Sequence, residues 1–173
     1  MRNRIPLLIA TVLAALIATI GCAGGVPAAP ARAASTLPEA QVLTLDGAPT
    51  DLAAAIRGRA ALVNLWATWC DTCVGEIDAL KRLASQTSGR SDALVVGVAV
   101  GETPAVVSAF ARDREMRYLQ LVDEDFRLTD ALGQRHVPAT LVIDRAGRIV
   151  YRGDALDAAG LAAFRGAMSA STQ

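Results

Sequence analysis

The chain has 173 residues, with 17 basic and 17 acidic side chains, one histidine and three cysteines. That length makes one ordinary domain with a real core once a leader is set aside. Balanced charge without a basic stripe argues against nucleic acid as a partner, and the chain lacks a second cysteine or histidine pair to complete a four-ligand structural zinc site.

At the N-terminus, Arg2 and Arg4 precede an uncharged apolar run from Ile5 to Ile20, and small and Pro-rich residues follow to Ala34. This pattern predicts an export signal. The run is a little short for a membrane span and contains Pro6, so an uncleaved anchor stays open as an alternative. Two processing routes fit. Thr19-Ile20-Gly21-Cys22 resembles a bacterial lipobox, with cleavage before Cys22 and lipidation of its thiol. Ala31-Arg32-Ala33 fits ordinary small-x-small cleavage. The cysteine directly after Gly21 favours lipidation. Both routes place the domain outside the cytoplasm and leave no unpaired thiol in the folded domain besides Cys70 and Cys73. The expected organisation is a signal peptide over 1–21, an Ala/Pro/Gly-rich tether over 22–36 and one domain over 37–173. Without the leader, acidic side chains outnumber basic ones.

Within the domain, Val42 to Leu45 before the turn Asp46-Gly47 predicts an opening hairpin. Leu52 to Ile56 reads as a helical turn before Gly58. Ala61 to Trp66 is an apolar run of strand length. The period of Ile77, Leu80, Leu83 and Ala84 then predicts a helix to about Ser85. Leu94 to Val100 reads as a central strand covered on both faces. Thr103 and Pro104 form an N-cap and first position for a helix through Val107 and Phe110 to about Glu115. Leu119 to Val122 is a short strand, and Asp123-Glu124-Asp125 reads as a solvated loop. Asp125 is its expected cap for a helix over Phe126 to Leu132, which Gly133 ends. Ala139 to Ile143 and Ile149 to Tyr151 are strands joined by Asp144-Arg145-Ala146-Gly147. Asp157 opens a last amphipathic helix carrying Leu161, Phe164 and Met168. Strands alternating with helices, then a hairpin and a helix, predict an α/β domain with a mixed sheet.

The residues Trp66-Ala67-Thr68-Trp69-Cys70-Asp71-Thr72-Cys73 stand where the first long strand gives way to a helix. Two sulfurs three residues apart on a first helical turn suit reversible thiol–disulfide exchange. The first sulfur faces unpaired N–H groups and the positive end of the helix dipole, which stabilise the attacking thiolate. A purely structural disulfide over so short a loop would restrict the unfolded chain little. Export leaves Cys70 and Cys73 as the domain's only unmodified thiols.

The chain resembles the thioredoxin superfamily, specifically the TlpA/ResA/CcmG-like group of exported thiol–disulfide oxidoreductases. The carriers are Val63-Asn64-Leu65-Trp66-Ala67-Thr68-Trp69-Cys70-Asp71-Thr72-Cys73, then Glu76, then Val137-Pro138-Ala139-Thr140-Leu141-Val142-Ile143-Asp144. The resemblance implies a thioredoxin-like fold, a central mixed sheet flanked by helices with an N-terminal β-hairpin extension. It implies that Cys70 attacks and Cys73 resolves, through a redox-active disulfide between them. Trp69 would shape the surface on which a partner peptide lies. Pro138 matches the family's cis-proline opposite the two cysteines, leaving the Val137 backbone to pair with an extended substrate. Asn64 stands where cytoplasmic thioredoxins carry a buried, titrating aspartate, and Asn cannot titrate. Glu76, one helical turn past Cys73, is positioned to handle the resolving thiol's proton; a favourable acid in the first helical turn is the plainer alternative.

The implied activity is reduction of disulfides in exported proteins, such as apocytochrome c or copper-site proteins awaiting haem or metal. Electrons would come from a membrane thiol-transfer protein. A monomer without a bound cofactor or resident metal is expected, tethered to the membrane if Cys22 is lipidated. Asp71 beside Cys70, and the lack of a histidine between the cysteines, argue against a strong oxidant. Disulfide oxidation remains the nearest competitor. A Cu(I)-binding module using Cys70, Cys73 and His136 is a further alternative, although a lone loop histidine reads more simply as solvated. A peroxidase of the peroxiredoxin group would need Pro and Thr or Ser where Val63 and Ala67 stand.

Overall fold

The computed structural model describes residues 35–170. The expected signal peptide, the Cys22 lipidation site and the Ala31–Ala33 cleavage site lie outside the described residues. Among the described residues, no helix is long and apolar enough to cross a membrane.

Two residues of the expected tether belong to the sheet: Ser35–Thr36 form β1. The predicted hairpin follows as β2 (Gln41–Thr44) and β3 (Pro49–Asp51), paired antiparallel. Asp51 then caps α1 (Leu52–Ile56) by accepting from the Ala54 N–H at 2.6 Å. The first long apolar run is β4 (Ala60–Trp66), buried at every position. It leads into α2 (Asp71–Thr87), β5 (Ala93–Val100), α3 (Pro104–Asp113) and β6 (Leu119–Asp123). The chain closes with α4 (Arg127–Leu132), β7 (Ala139–Ile143), β8 (Arg148–Gly153) and α5 (Ala158–Ser169). The caps of α3 and α5 are the expected Thr103 and Asp157, and Gly133, in the left-handed region, ends α4.

The strands order as β1-β8-β7-β4-β5-β6-β2-β3 in one sheet. β4, β5 and β6 run parallel, β7 pairs antiparallel with β4, and β8 pairs antiparallel with β7. This is the mixed α/β sheet the sequence predicts.

Alternation along the strands sends side chains to two covered faces. One face gathers Ala61, Val63 and Leu65 with Val96, Val98, Leu121 and Leu141, against Leu52 and Ile56 of α1 and Leu128 and Leu132 of α4. The other face divides in two. Trp66, Ala99 and Val122 pack with both cysteines, Ile77, Val107 and Ala111. Ala60, Leu62, Val95 and Val142 pack with Leu80 and Phe164. Between these groups runs a row set by strand register: Thr140 opposite Asn64, Asn64 opposite Gly97, and Gly97 opposite Gln120. A polar seam thus crosses the apolar centre of the sheet.

One expectation fails at the end of β6. Asp123 is not a solvated loop residue but is 1% exposed. Its carboxylate accepts from the N–H groups of Leu128 (3.0 Å) and Thr129 (2.9 Å) and from the Thr129 hydroxyl (2.9 Å). Asp123 therefore holds the start of α4, and Asp125 pairs with Arg127 instead. Phe126 occupies the cap position in the left-handed region (φ 60°) and makes no side-chain cap bond. The reason is reach: a carboxylate at the buried end of a strand meets the orphan N–H groups from below.

Candidate active site

The site forms where β4 ends and α2 begins. The Cys70 N–H donates to the Ala67 carbonyl at 3.2 Å, closing a turn, and Cys70 with extended backbone is the N-cap of α2. Its Sγ accepts from the Cys73 N–H at 3.2 Å. The first sulfur thus sits against the helix's orphan donors, where negative charge is favoured. Cys70 and Cys73 are joined in a disulfide with Cα atoms 5.2 Å apart. Cys70 is 9% exposed and Cys73 1%, so the first sulfur is the more accessible.

The two tryptophans divide their roles. Trp66 is buried and its ring lies 5.5 Å from Phe110 in a tilted contact. Trp69 is 68% exposed, which rules out ordinary core packing for it. The Val137–Pro138 peptide bond is cis. Val137 is half-buried and packs against the cluster that contains both cysteines, while Pro138 is buried. Fold and sequence therefore bring Cys70, Cys73 and the 137–138 loop together.

Glu76 lies on α2 three residues past Cys73, a spacing that makes neighbours on a helix surface. It is half-buried. Its Oε2 accepts from Asn64 Nδ2 at 3.1 Å and its Oε1 from the Leu156 N–H at 2.8 Å. Both carboxylate oxygens are thereby oriented from the sheet on one side and the β8–α5 loop on the other.

His136 is exposed, with Nε2 2.9 Å from Asp154 Oδ1. Among the described residues, no three His, Cys, Asp or Glu side chains converge in a way that could hold a metal ion. His136, the further donor named in the Cu(I) alternative, is engaged by Asp154.

Sequence reasoning misses Glu102, in the loop after β5. Its carboxylate accepts from the Thr68 N–H at 3.0 Å and also from the Thr68 hydroxyl. The only signal in the sequence is an acid directly after a buried parallel strand next to the one bearing the cysteines. Gln120 is missed too. It is 4% exposed, and neither its amide nitrogen nor its amide oxygen has a hydrogen-bond partner among the described residues; nor has Trp66 Nε1.

An α/β sheet with a CxxC at a helix N-terminus, facing a cis-proline loop, defines a thioredoxin-like protein. The Redoxin family profile matches residues 32–159, and the chain belongs to that family. The chain is similar to the thiol:disulfide interchange protein DsbE of Pasteurella multocida (34% identity over 98 residues, 56% of this chain and 51% of that protein). It is similar also to the thiol-disulfide oxidoreductase ResA of Bacillus subtilis (25% over 95 residues, 55% and 52%). The matched segment spans about half the length of these curated relatives. Among solved structures, MTB DsbF in mixed oxidised and reduced forms superposes with a TM-score of 0.63 at 26% identity, covering 78% of this chain and 100% of that one. A secreted thiol-disulfide isomerase from Corynebacterium glutamicum superposes with a TM-score of 0.67 at 21% identity, covering 78% and 86%, a likeness of fold.

Proposed function

We propose that the chain is an extracytoplasmic dithiol–disulfide oxidoreductase that reduces disulfides in exported proteins. The observation that carries this reading is the Cys70–Cys73 pair at the N-terminus of α2, with the first sulfur more exposed and hydrogen-bonded to the helix start. In the reduced form the Cys70 thiolate attacks one sulfur of a client disulfide. A Cys70–client bond forms, and the client's other sulfur leaves as a thiolate that takes up a proton. Cys73 then gives its proton to Glu76 and attacks the Cys70 sulfur. The internal disulfide closes and the client departs with both its sulfurs reduced. Two electrons have passed to the client, and a donor dithiol restores the enzyme.

In this reading Trp69, Val137 and Pro138 form the substrate groove. Residues 1–21 act as a signal peptide and 22–36 as a tether lipidated at Cys22. A membrane thiol-transfer protein supplies electrons, and clients include apocytochrome c or proteins with copper sites. Names borne by the relatives support the exchange chemistry. The direction of electron flow rests on Asp71, exposed on the first turn of α2 beside Cys70, where its charge opposes the thiolate.

The test is trapping with Cys73→Ser, which stalls the reaction on Cys70. Mass spectrometry of the adduct is expected to return an extracytoplasmic cysteine protein. Failure to recover one under both reducing and oxidising growth rejects the reading. A reduction potential near the roughly −270 mV of thioredoxin supports a reductant, and one near about −120 mV makes the chain an oxidase.

A further inference from the structure

Three loops leave the sheet at the ends of its parallel strands, and Glu102 ties two of them together. Both polar hydrogens of Thr68 go to its carboxylate, the N–H to Oε2 at 3.0 Å and the hydroxyl to Oε1. Thr68 and Trp69 are the central residues of the turn that the Cys70 N–H closes onto Ala67. The carboxylate therefore grips the segment that displays Trp69 and delivers Cys70 to the helix start.

Glu102 is itself held from both sides. Gly101 before it donates its N–H to the Asp123 carbonyl at 3.0 Å, with φ at +70°. The Phe126 ring presses so closely on Gly101 that a Cβ there would lie 2.5 Å from its Cζ. Thr103 after it caps α3. The third loop, after β6, thus braces the second, and the second holds the first.

We propose that Glu102 is a positioning residue for the attacking sulfur, fixing the Ala67–Cys70 turn through Thr68 while its negative charge disfavours the Cys70 thiolate. The two effects separate chemically. The grip needs acceptors at the Thr68 N–H and hydroxyl. The electrostatic effect needs the charge, and it makes the disulfide form relatively more stable and the couple more reducing. A carboxylate near a thiol opposes its ionised form, as any like charge does. The inference rests on Cys70 being the attacking sulfur.

The experiment uses the reduced chain and measures Cys70 alkylation by iodoacetamide against pH. In a Cys73→Ser background it also measures the rate of mixed-disulfide formation with a peptide closed by one disulfide. Glu102→Gln keeps an acceptor for the Thr68 N–H but drops the charge. It is expected to shift the alkylation profile to lower pH, with the limiting rate at high pH within about twofold. Glu102→Ala is expected to shift the profile likewise and to lose about tenfold in mixed-disulfide rate, a loss that a merely displaced loop turn produces. Thr68→Val removes only the hydroxyl and should lower that rate without moving the profile. If Glu102→Gln and Glu102→Ala both keep the wild-type profile and rate, the inference is overturned. Cys73→Ser alone failing to form any mixed disulfide would instead reject Cys70 as the attacking sulfur, a separate outcome.

Discussion

Asn64, buried in the central strand β4, donates its side-chain amide to Glu76 on the helix that carries both cysteines, at 3.1 Å. The non-titrating residue does not replace a buried aspartate; it aims a different carboxylate. With Leu156 holding the other oxygen, the Glu76 carboxylate is fixed one helical turn past Cys73. Glu76→Gln is expected to slow release of client from a preformed mixed disulfide by about a hundredfold, the usual scale for a positioned acid–base group. Attack by Cys70 should change little. Stopped-flow release rates within threefold of wild type would reduce Glu76 to a structural acid.

Trp69 contributes little to the core at 68% exposure. Trp69→Ala is expected to leave stability within about 0.5 kcal/mol, as for other exposed substitutions. The same variant should react several-fold more slowly with a folded disulfide-containing protein, yet normally with a small dialkyl disulfide. Equal loss toward both substrates would mean that Trp69 shapes the cysteines and not the docking surface.

Gly97 leaves the space that Gln120 fills. A Cβ at Gly97 would lie 2.3 Å from Gln120 Oε1 and 2.9 Å from Trp66 Nε1. Gly97→Ala is expected to cost about 1–3 kcal/mol through overpacking. Gln120→Leu removes two buried polar atoms that have no protein partner among the described residues, so it is expected to be neutral or stabilising. Urea unfolding of the single and double variants measures both. A double variant as unstable as Gly97→Ala alone would show that the clash lies with Trp66.

Asp144 organises the β7–β8 turn. Its Oδ1 accepts from the Ala146 and Arg148 N–H groups, each at 2.9 Å, and its Oδ2 from Arg148 Nε at 2.8 Å. Burial works against its ionisation, but these bonds and the Arg148 charge together hold the carboxyl below the usual carboxylate range. A depressed folded value contributes stability that is complete above the unfolded value, about 3.9, and is lost as pH falls through the folded one. Asp144→Asn should therefore be less stable than wild type at pH 7, with the gap narrowing below about pH 4. A gap that stays constant from pH 7 to pH 3 would contradict this.

Where local chemistry decides, the sequence reads well. Thr103-Pro104, Asp157 and Gly133 each end or begin a helix where expected, because caps act within a few residues. The buried strands show as apolar runs for the same reason. The cysteine pair is legible because its two sulfurs are only three residues apart in the chain. What escapes is set by distant partners. Asp123 looks like one of three solvated acids until β6 buries it beneath α4. Glu102 acquires meaning only when β5 pairs with β4 and brings it to Thr68, 34 residues earlier. The edge strand β1 is two residues long and gains its pairing from β8, more than a hundred residues on.

The row Thr140–Asn64–Gly97–Gln120 separates the cluster around the cysteines from the apolar cluster under α5. Tyr118 nevertheless packs against both clusters, and α2 gives Cys73 and Ile77 to one and Leu80 to the other, so the two stay joined across the row. Through α2 the Cys70–Cys73 disulfide is thereby tied to the packing of both clusters.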